Sequence, residues 1–410
     1  MVANPRTPRF LLTGILFGWG LAVAAITLTR AGADSSQSQI LCMACGARGL
    51  ADLIANWVLF IPLGMAAARL WSPRTAIGVS LVVTLGIEGL QQLLPGRVPA
   101  LQDILMNTLG GATGAWIVLR SHTPAPFRAV AGLAAIWWLS TPFLLVPATS
   151  SGEMFGQWTS PIGGFETYQG QVLSADVGGV PLPSTRIPDE ESARRALTER
   201  EPVNIRFVVG PPPTALAPIV SVLDWHERPI FLLGAIRNDL VLRGRNTARM
   251  IRLDQPDVRW AGALSEASIG DTVLVRVESG RGSLCMSVEG TTRCRLAPGP
   301  GDGWAFLLNL EGGPELLRVA LAVGWALGIG FMMGLAPRTP MRGVAAGIGL
   351  AALGLVAGFV FPDLRPAPIH AACLAAGALV GALVRRRLLD ASGSGPQGAP
   401  ASRIQTLSRV

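Results

Sequence analysis

The sequence predicts a polytopic α-helical membrane protein of about eight spans, carrying an inserted extracytoplasmic all-β sandwich of jelly-roll character. Three observations predict it. Half of the 410 residues are hydrophobic and 15% are charged, a balance that belongs to integral membrane chains. The apolar residues gather into runs matched to a hydrocarbon core about 30 Å thick, which takes roughly 17–25 helical residues to cross. Between the fifth and sixth runs lies a long polar stretch whose short segments alternate apolar and polar residues, the period of strands.

The expected spans are Phe10–Thr29, Leu50–Leu70, Ala76–Leu94, Leu101–Leu119, Val130–Val146, Leu316–Leu335, Val344–Phe361 and Pro368–Val384. They group into a five-helix unit over 1–147, the insert over 148–312, three further helices over 313–385, and a disordered cytoplasmic tail over 386–410 that is rich in Gly, Ser and Pro. The formal charge of +8 does not signal nucleic acid, because all 34 basic residues are arginine and many lie between apolar runs. Arg6, Arg9, Arg69, Arg74, Arg120, Arg128, Arg338, Arg342 and Arg385–Arg387 fall in alternate connections or near the termini. Basic loops face the cytoplasm, so both termini are expected inside and residues 148–312 outside, across a bacterial inner membrane. Arg30, Arg48, Arg97 and Arg365 run against that pattern. The first run follows Arg6 and Arg9 and precedes Ala31-Gly32-Ala33 like a signal peptide, but it exceeds the roughly 7–15 residues of such a segment and reads as an uncleaved anchor.

In the insert, Val203, Ile205 and Phe207 alternate with polar residues, as do Val273, Val275 and Val277. Ile219–Leu223, Ile230–Leu233, Leu240–Leu242 and Trp304–Leu308 are further expected strands, and Pro188–Glu201 an expected short charged helix. Cys285 and Cys294 flank Glu289-Gly290, a two-residue hairpin turn that sets the cysteines opposite each other for a disulfide. Cys42 and Cys45 form a C-x-x-C best read as a second local disulfide, with a redox pair or a zinc half-site as the other readings. Trp225, His226, Arg237, Asn238, Asp239, Arg243 and Asn246 are candidates for a sugar site, each weighed against ordinary solvation.

The most informative pattern lies in the first unit. Asp52/Asn56, Glu88/Gln92 and Asp103/Asn107 are acid–amide pairs spaced i,i+4, so each pair shares a helix face. Alternating spans bring all six to one depth near the outer face, with Arg97 above them. Polar groups at membrane depth avoid lipid and mark functional sites by default. Asp52, Glu88 and Asp103 are the candidate catalytic groups, while Asn56, Gln92, Arg97 and Asn107 are the candidate binding groups. Three carboxylates held together would raise one another's pKa, which suits acid–base work. A divalent cation with oxygen ligands is another way to hold them. The competing reading is a hydrogen-bond network that fixes helix packing.

Asp52-Leu-Ile-Ala-Asn56 leading into Phe60-Ile-Pro62-Leu-Gly64, then Glu88-Gly-Leu-Gln-Gln92 and Arg97, then Asp103-Ile-Leu-Met-Asn107-Thr-Leu-Gly110 with Gly114, resemble the VanZ-like (teicoplanin-resistance protein-like) family over roughly residues 45–120. Phe231-Leu-Leu-Gly234 and Asn238-Asp-Leu-Val-Leu-Arg243 resemble part of a laminin-G or concanavalin-like sandwich. These resemblances imply a cell-envelope role, with recognition or processing of a surface glycan or its lipid-linked precursor and carbohydrate binding by the insert. Antibiotic resistance is a family-level association and does not transfer to this chain. Enzyme, non-enzymatic glycan- or protein-binding accessory subunit, and transporter remain open readings. The mid-depth and cytoplasmic parts of the helices read as almost wholly apolar, which counts against a transport path. Gly110/Gly114, Gly343/Gly347 and Gly354/Gly358 are small-xxx-small pairs expected to let helices approach closely.

Overall fold

A computed structural model describes residues 9–27, 48–93, 100–120, 123, 125–149, 152–280, 283–308, 315–336, 339–361 and 364–393. Cys42, Cys45, Arg97 and residues 394–410 lie outside the described residues. Helices stand where the apolar runs predict them: α1 Arg9–Thr27, α2 Gly49–Leu70, α3 Pro73–Gln91, α4 Leu101–Leu119, α5 Ala125–Leu144, then α8 Glu315–Leu335, α9 Pro340–Val360 and α10 Pro368–Gly393 after the insert. Six of them, α2, α3, α5, α8, α9 and the first part of α10, are long and apolar enough to cross a membrane. Their outer faces carry exposed large apolar residues such as Val82, Ile136, Val356 and Phe359, as a lipid-facing surface requires. The helix α10 runs past the expected end at 385, because Arg385-Arg-Arg-Leu-Leu-Asp390 are residues that a helix tolerates.

Small residues set the packing. A Cβ on Gly110 or Gly114 would meet the backbone oxygens of Trp57 or Ile61 in α2, and one on Gly111 would meet the Ser80 hydroxyl of α3. Gly343, Gly347, Gly354 and Gly358 similarly abut Gly334, Ala378, Trp138 and Pro366. The expected close approaches are therefore present in both groups of helices. The helix α5 takes its buried contacts from the later helices, with Trp138 packed among Ala326, Ile329, Leu350, Ala371 and Leu374. The expected unit over 1–147 grouped it with α1–α4.

The insert is two antiparallel sheets packed face to face. One has the order β1-β5-β6-β7-β8, using Met154–Trp158, Ala217–Asp224, Pro229–Ile236, Asp239–Gly244 and Val258–Trp260. The other has the order β11-β10-β9-β4-β2-β3, using Thr291–Arg293, Ser283–Val288, Thr272–Gly280, Val203–Val208, Gln171–Val177 and Val180–Pro181. Alternate residues of β4 and β9 point into the shared core, among them Ile205, Phe207, Val273 and Val275. In the first sheet β5 is buried along its whole length, and Leu216, Leu232, Ile236 and Val241 form a second apolar cluster with Phe165 packed against it. The short charged helix is α6, Glu190–Glu199, capped by the Asp189 carboxylate.

Cys285 and Cys294 are disulfide-bonded. The register Val288↔Thr291 leaves Glu289 and Gly290 as the turn, both at positive φ (46° and 84°), the geometry of a type I′ hairpin. The expected strand at Trp304–Leu308 is instead the end of a 3-10 helix, Pro300–Phe306. Pro300 begins it, the Asp302 carboxylate accepts from Gly299 N–H at 2.6 Å, and Trp304 and Phe306 are buried against the bundle rather than in a sheet.

The insert and the bundle meet at one end of the helices. Leu50 and Ala51 N–H, at the start of α2, both donate to Arg252 O at 3.1 and 3.2 Å. Arg48 pairs with the buried Asp254 carboxylate at 2.9 Å. The chain leaving α5 bonds to the insert through Ala148 N–H to Arg245 O. Trp137 Nε1 donates to Gly303 O at 3.1 Å, and Gly301 N–H donates to His370 Nδ1 at 3.0 Å. Ala51, Leu144, Leu253, Phe306 and Leu364 form a joint apolar cluster there, with Ala248 of the short α7, Thr247–Met250.

Candidate functional site

The expected polar residues lie at this same end. Asp52 is in the first turn of α2 and Asp103 in the first turn of α4. The two helices run in the same direction, and Asn56 Nδ2 bridges them by donating to Asp103 Oδ1 at 2.7 Å. Glu88, near the end of the antiparallel α3, is almost fully buried and accepts from Ala100 N–H through Oε2 at 3.0 Å. Ala100 is the N-cap residue of α4 and has no side chain able to cap it. The Glu88 carboxylate instead ties down the N–H of that N-cap residue from another helix. The three acids thus lie at the ends of α2, α3 and α4, and Asp52 and Asp103 sit in first turns, where the helix dipole favours negative charge.

Asn107 is buried at the next turn down, and its Nδ2 donates to Thr84 Oγ1 at 2.8 Å. Thr84 and Ser80 are both fully buried, one and two turns below Glu88 on the same face of α3. The helix therefore buries a polar stripe, Ser80, Thr84, Glu88 and Gln91, against α2 and α4. This corrects the expectation of an almost wholly apolar mid-depth. The seam is filled by tight packing, since the Ser80 hydroxyl bonds back to Ala76 O and abuts Gly111.

Two further adjustments concern the amides. Gln92 is the C-cap residue of α3 and is exposed, whereas Gln91 is buried. The i,i+4 spacing from Glu88 selected Gln92, whose N–H does bond to Glu88 O at 3.4 Å, but its side chain stands exposed at the helix terminus. Gln102, at the start of α4, is buried and was not anticipated. Among the described residues, Gln102 Oε1 and Asn107 Oδ1 are buried without a hydrogen-bond partner. The signal for Gln102 was its position beside Asp103 at a helix start. The signal for Thr84 and Ser80 was their i−4 and i−8 spacing from Glu88.

The metal reading does not fit. Among the described residues, no group of three or more His, Cys, Asp or Glu side chains is placed to hold a metal ion.

The sugar-site candidates on the insert do not form one site. Trp225 and His226 stack at the β5–β6 turn, with ring centroids 3.4 Å apart. Arg237 and Asn238 form the β6–β7 turn at the opposite end of β6. Arg243 is held by Asp257 in a two-point ion pair, Asp239 by Arg259 and Gly262 N–H, and Asn246 caps α7. Each of those three is occupied in holding the fold together.

The family model described as VanZ/LLP1 matches residues 15–122. This segment is VanZ-like. It takes in α1 to α4, including Trp19, whose indole donates to Leu59 O at 2.8 Å. No curated protein and no solved structure matches the chain. With six helices among the described residues long and apolar enough to cross a membrane, the chain is a membrane protein whose VanZ-like part contains the acid–amide seam, followed by a sheet-rich insert.

Proposed function

We propose that this protein recognises or processes a cell-envelope glycan or its lipid-linked precursor, at the end of the α2–α4 seam that lies beneath the insert. In this reading all eight apolar helices span a bacterial inner membrane, with the termini cytoplasmic and residues 148–312 outside. The non-sequential strand pairs β1–β5 and β4–β9 support reading the insert as a concanavalin-like jelly roll. The packing of α5 supports dividing the helices into α1–α4 and α5 with α8–α10.

The carrying observation is the pair of unpartnered amide oxygens, Gln102 Oε1 and Asn107 Oδ1, buried on the same helix as Asp103, next to it and one turn below it. A buried acceptor without a donor costs about 1–3 kcal/mol, and sugar hydroxyls are donors of the right kind. Asp52, Glu88 and Asp103 supply charge or protons, Asn56 and Asn107 orient, Gln91 takes the role expected of Gln92, and Arg97 meets an anionic group such as a phosphate. The interhelical bonds Asn56–Asp103 and Asn107–Thr84 favour a second reading, in which the seam only fixes helix packing.

Native mass spectrometry of the detergent-purified chain, incubated with a polyprenyl-diphosphate-linked sugar, separates the two. The proposal expects an adduct on the wild type that is lost from folded Asp52→Asn/Glu88→Gln. Equal adducts on both proteins, or none on either, would select the packing network.

A further inference from the structure

The insert contains a cavity of about 170 Å³ between its two sheets. Its walls include Phe231, Leu242 and Val277 from the facing sheets and Leu284 from β10. Its other lining residues show which way it faces. Leu145 and Pro147 belong to the chain leaving α5, Asn246 precedes α7, and Ala297 and Pro298 precede the 3-10 helix that packs on the bundle. The cavity therefore lies at the end of the sandwich that rests on the helices. It is larger than the ~150 Å³ apolar cavity that stays dry and accepts benzene.

The surface around this end carries exposed apolar side chains. Trp225 packs beside Gly152 and is 58% exposed, while Met250 and Ile251 at the end of α7 are 63% and 45% exposed. Phe143 and Val146, at the end of α5, and Leu316, at the start of α8, are exposed at the same level. Tryptophan and aliphatic side chains at a helix–domain junction are what a membrane interface stabilises. Arg200, Glu201 and Arg245 also line the cavity, Arg245 being held by the Asp224 carboxylate at 2.8 Å. An occupant thus meets apolar walls with charged groups beside them.

We propose that this cavity takes the end of one hydrocarbon chain of a bilayer lipid, lifted from the leaflet on which the insert sits, with its polar head remaining beside Arg200 and Arg245. The inference stands apart from the acid–amide seam and survives that seam's being a packing network. The occupant carries an apolar chain because Phe231, Leu242, Val277 and Leu284 face the cavity, and a polar head because Arg200, Arg245 and Ser279 also line it; its source is the bilayer because the lining is continuous with the end of α5.

The test uses the full chain in vesicles containing a phospholipid with a diazirine at the end of one acyl chain, irradiated and read by peptide mass spectrometry. Label on the segments around Phe231, Leu242 and Val277 is expected in the wild type, falling at least fivefold in Val277→Phe, which fills the cavity. Leu284→Trp narrows the half-buried side of the same cavity and decides the matter should Val277→Phe not fold. Label confined to the helices, or unchanged in a folded filled variant, would overturn the proposal. So would label that appears only when a free diazirine fatty acid in detergent replaces the bilayer lipid.

Discussion

The helices α3 and α9 are close in length and both glycine-rich, yet they bury opposite kinds of surface. The helix α9 turns Gly343, Gly347, Leu350, Ala351, Gly354 and Gly358 inward, so its contacts are close and apolar. The helix α3 turns Ser80, Thr84, Glu88 and Gln91 inward, beside Asn107 and Gln102 of α4. A helix pair in lipid gains nothing from burying apolar side chains that lipid would also solvate, so close backbone approach is sufficient to hold α8–α10. The α2–α4 group has that close approach through Gly64, Gly110, Gly111 and Gly114, and carries the polar seam in addition. The seam is thus an addition to packing rather than a substitute for it, which is why function is placed there.

The largest expected effect applies to both groups. Gly111→Leu and Gly347→Leu each drive a side chain into a neighbouring helix, at Ser80 and Ala378 respectively. Both should abolish a monodisperse peak in fluorescence-detected size exclusion, since overpacking costs about 1–3 kcal/mol even where neighbours can shift. Survival of either variant would show that the group concerned does not depend on close approach.

Next in size is the tie between the insert and the first group. Arg48→Met leaves the buried Asp254 carboxylate without its guanidinium, a loss that solvent screening at the partly exposed Arg48 keeps below that of a fully buried pair. Burial already holds the Asp254 carboxyl above its ordinary value, with Arg48 pulling it back. Between the ordinary value and the raised one, the folded chain keeps a proton that the unfolded chain has released, so this residue's contribution falls as pH rises through that window. Arg48→Met should steepen that fall in thermal melts taken across the window, and Asp254→Asn should remove it. Asp224 provides the opposite sign. Burial would raise its carboxyl, but Arg228 N–H, the Arg245 guanidinium and His226 N–H hold it below the ordinary value. Its contribution is present above the ordinary value and is lost as pH falls through the lowered one.

Glu88→Gln comes third. It keeps an oxygen to accept from Ala100 N–H, so the cost is that of a weakened hydrogen bond, about 1 kcal/mol. The melt should move by a few degrees while the adduct with the polyprenyl-linked sugar disappears. A large loss of folded yield would instead mark Glu88 as structural.

Much of this was legible in the sequence because lipid-spanning helices and hairpins are written locally. Eight apolar runs gave eight helix positions, and Glu289-Gly290 between two cysteines gave a turn and a disulfide. What escaped depended on contacts between distant segments. Trp304 is in an apolar run that looks like a strand until Trp325 and Ala322 of α8 are packed against it. The role of Glu88 in tying down the start of α4 cannot be read from α3 alone. Thr84 shares a face with Glu88 by spacing, but its role shows only once Asn107 is seen opposite it.

The smallest expected change in stability carries the most weight. Gln102→Leu removes a buried carbonyl oxygen that has no donor among the described residues, and replacing such a group with an apolar one is neutral or stabilising. Melting and native mass spectrometry on the same Gln102→Leu preparation should show an unchanged or higher Tm together with loss of the polyprenyl-linked sugar adduct. A lower Tm with the adduct retained would mean that Gln102 serves packing alone, and the reading of the α2–α4 seam as a ligand site would fail.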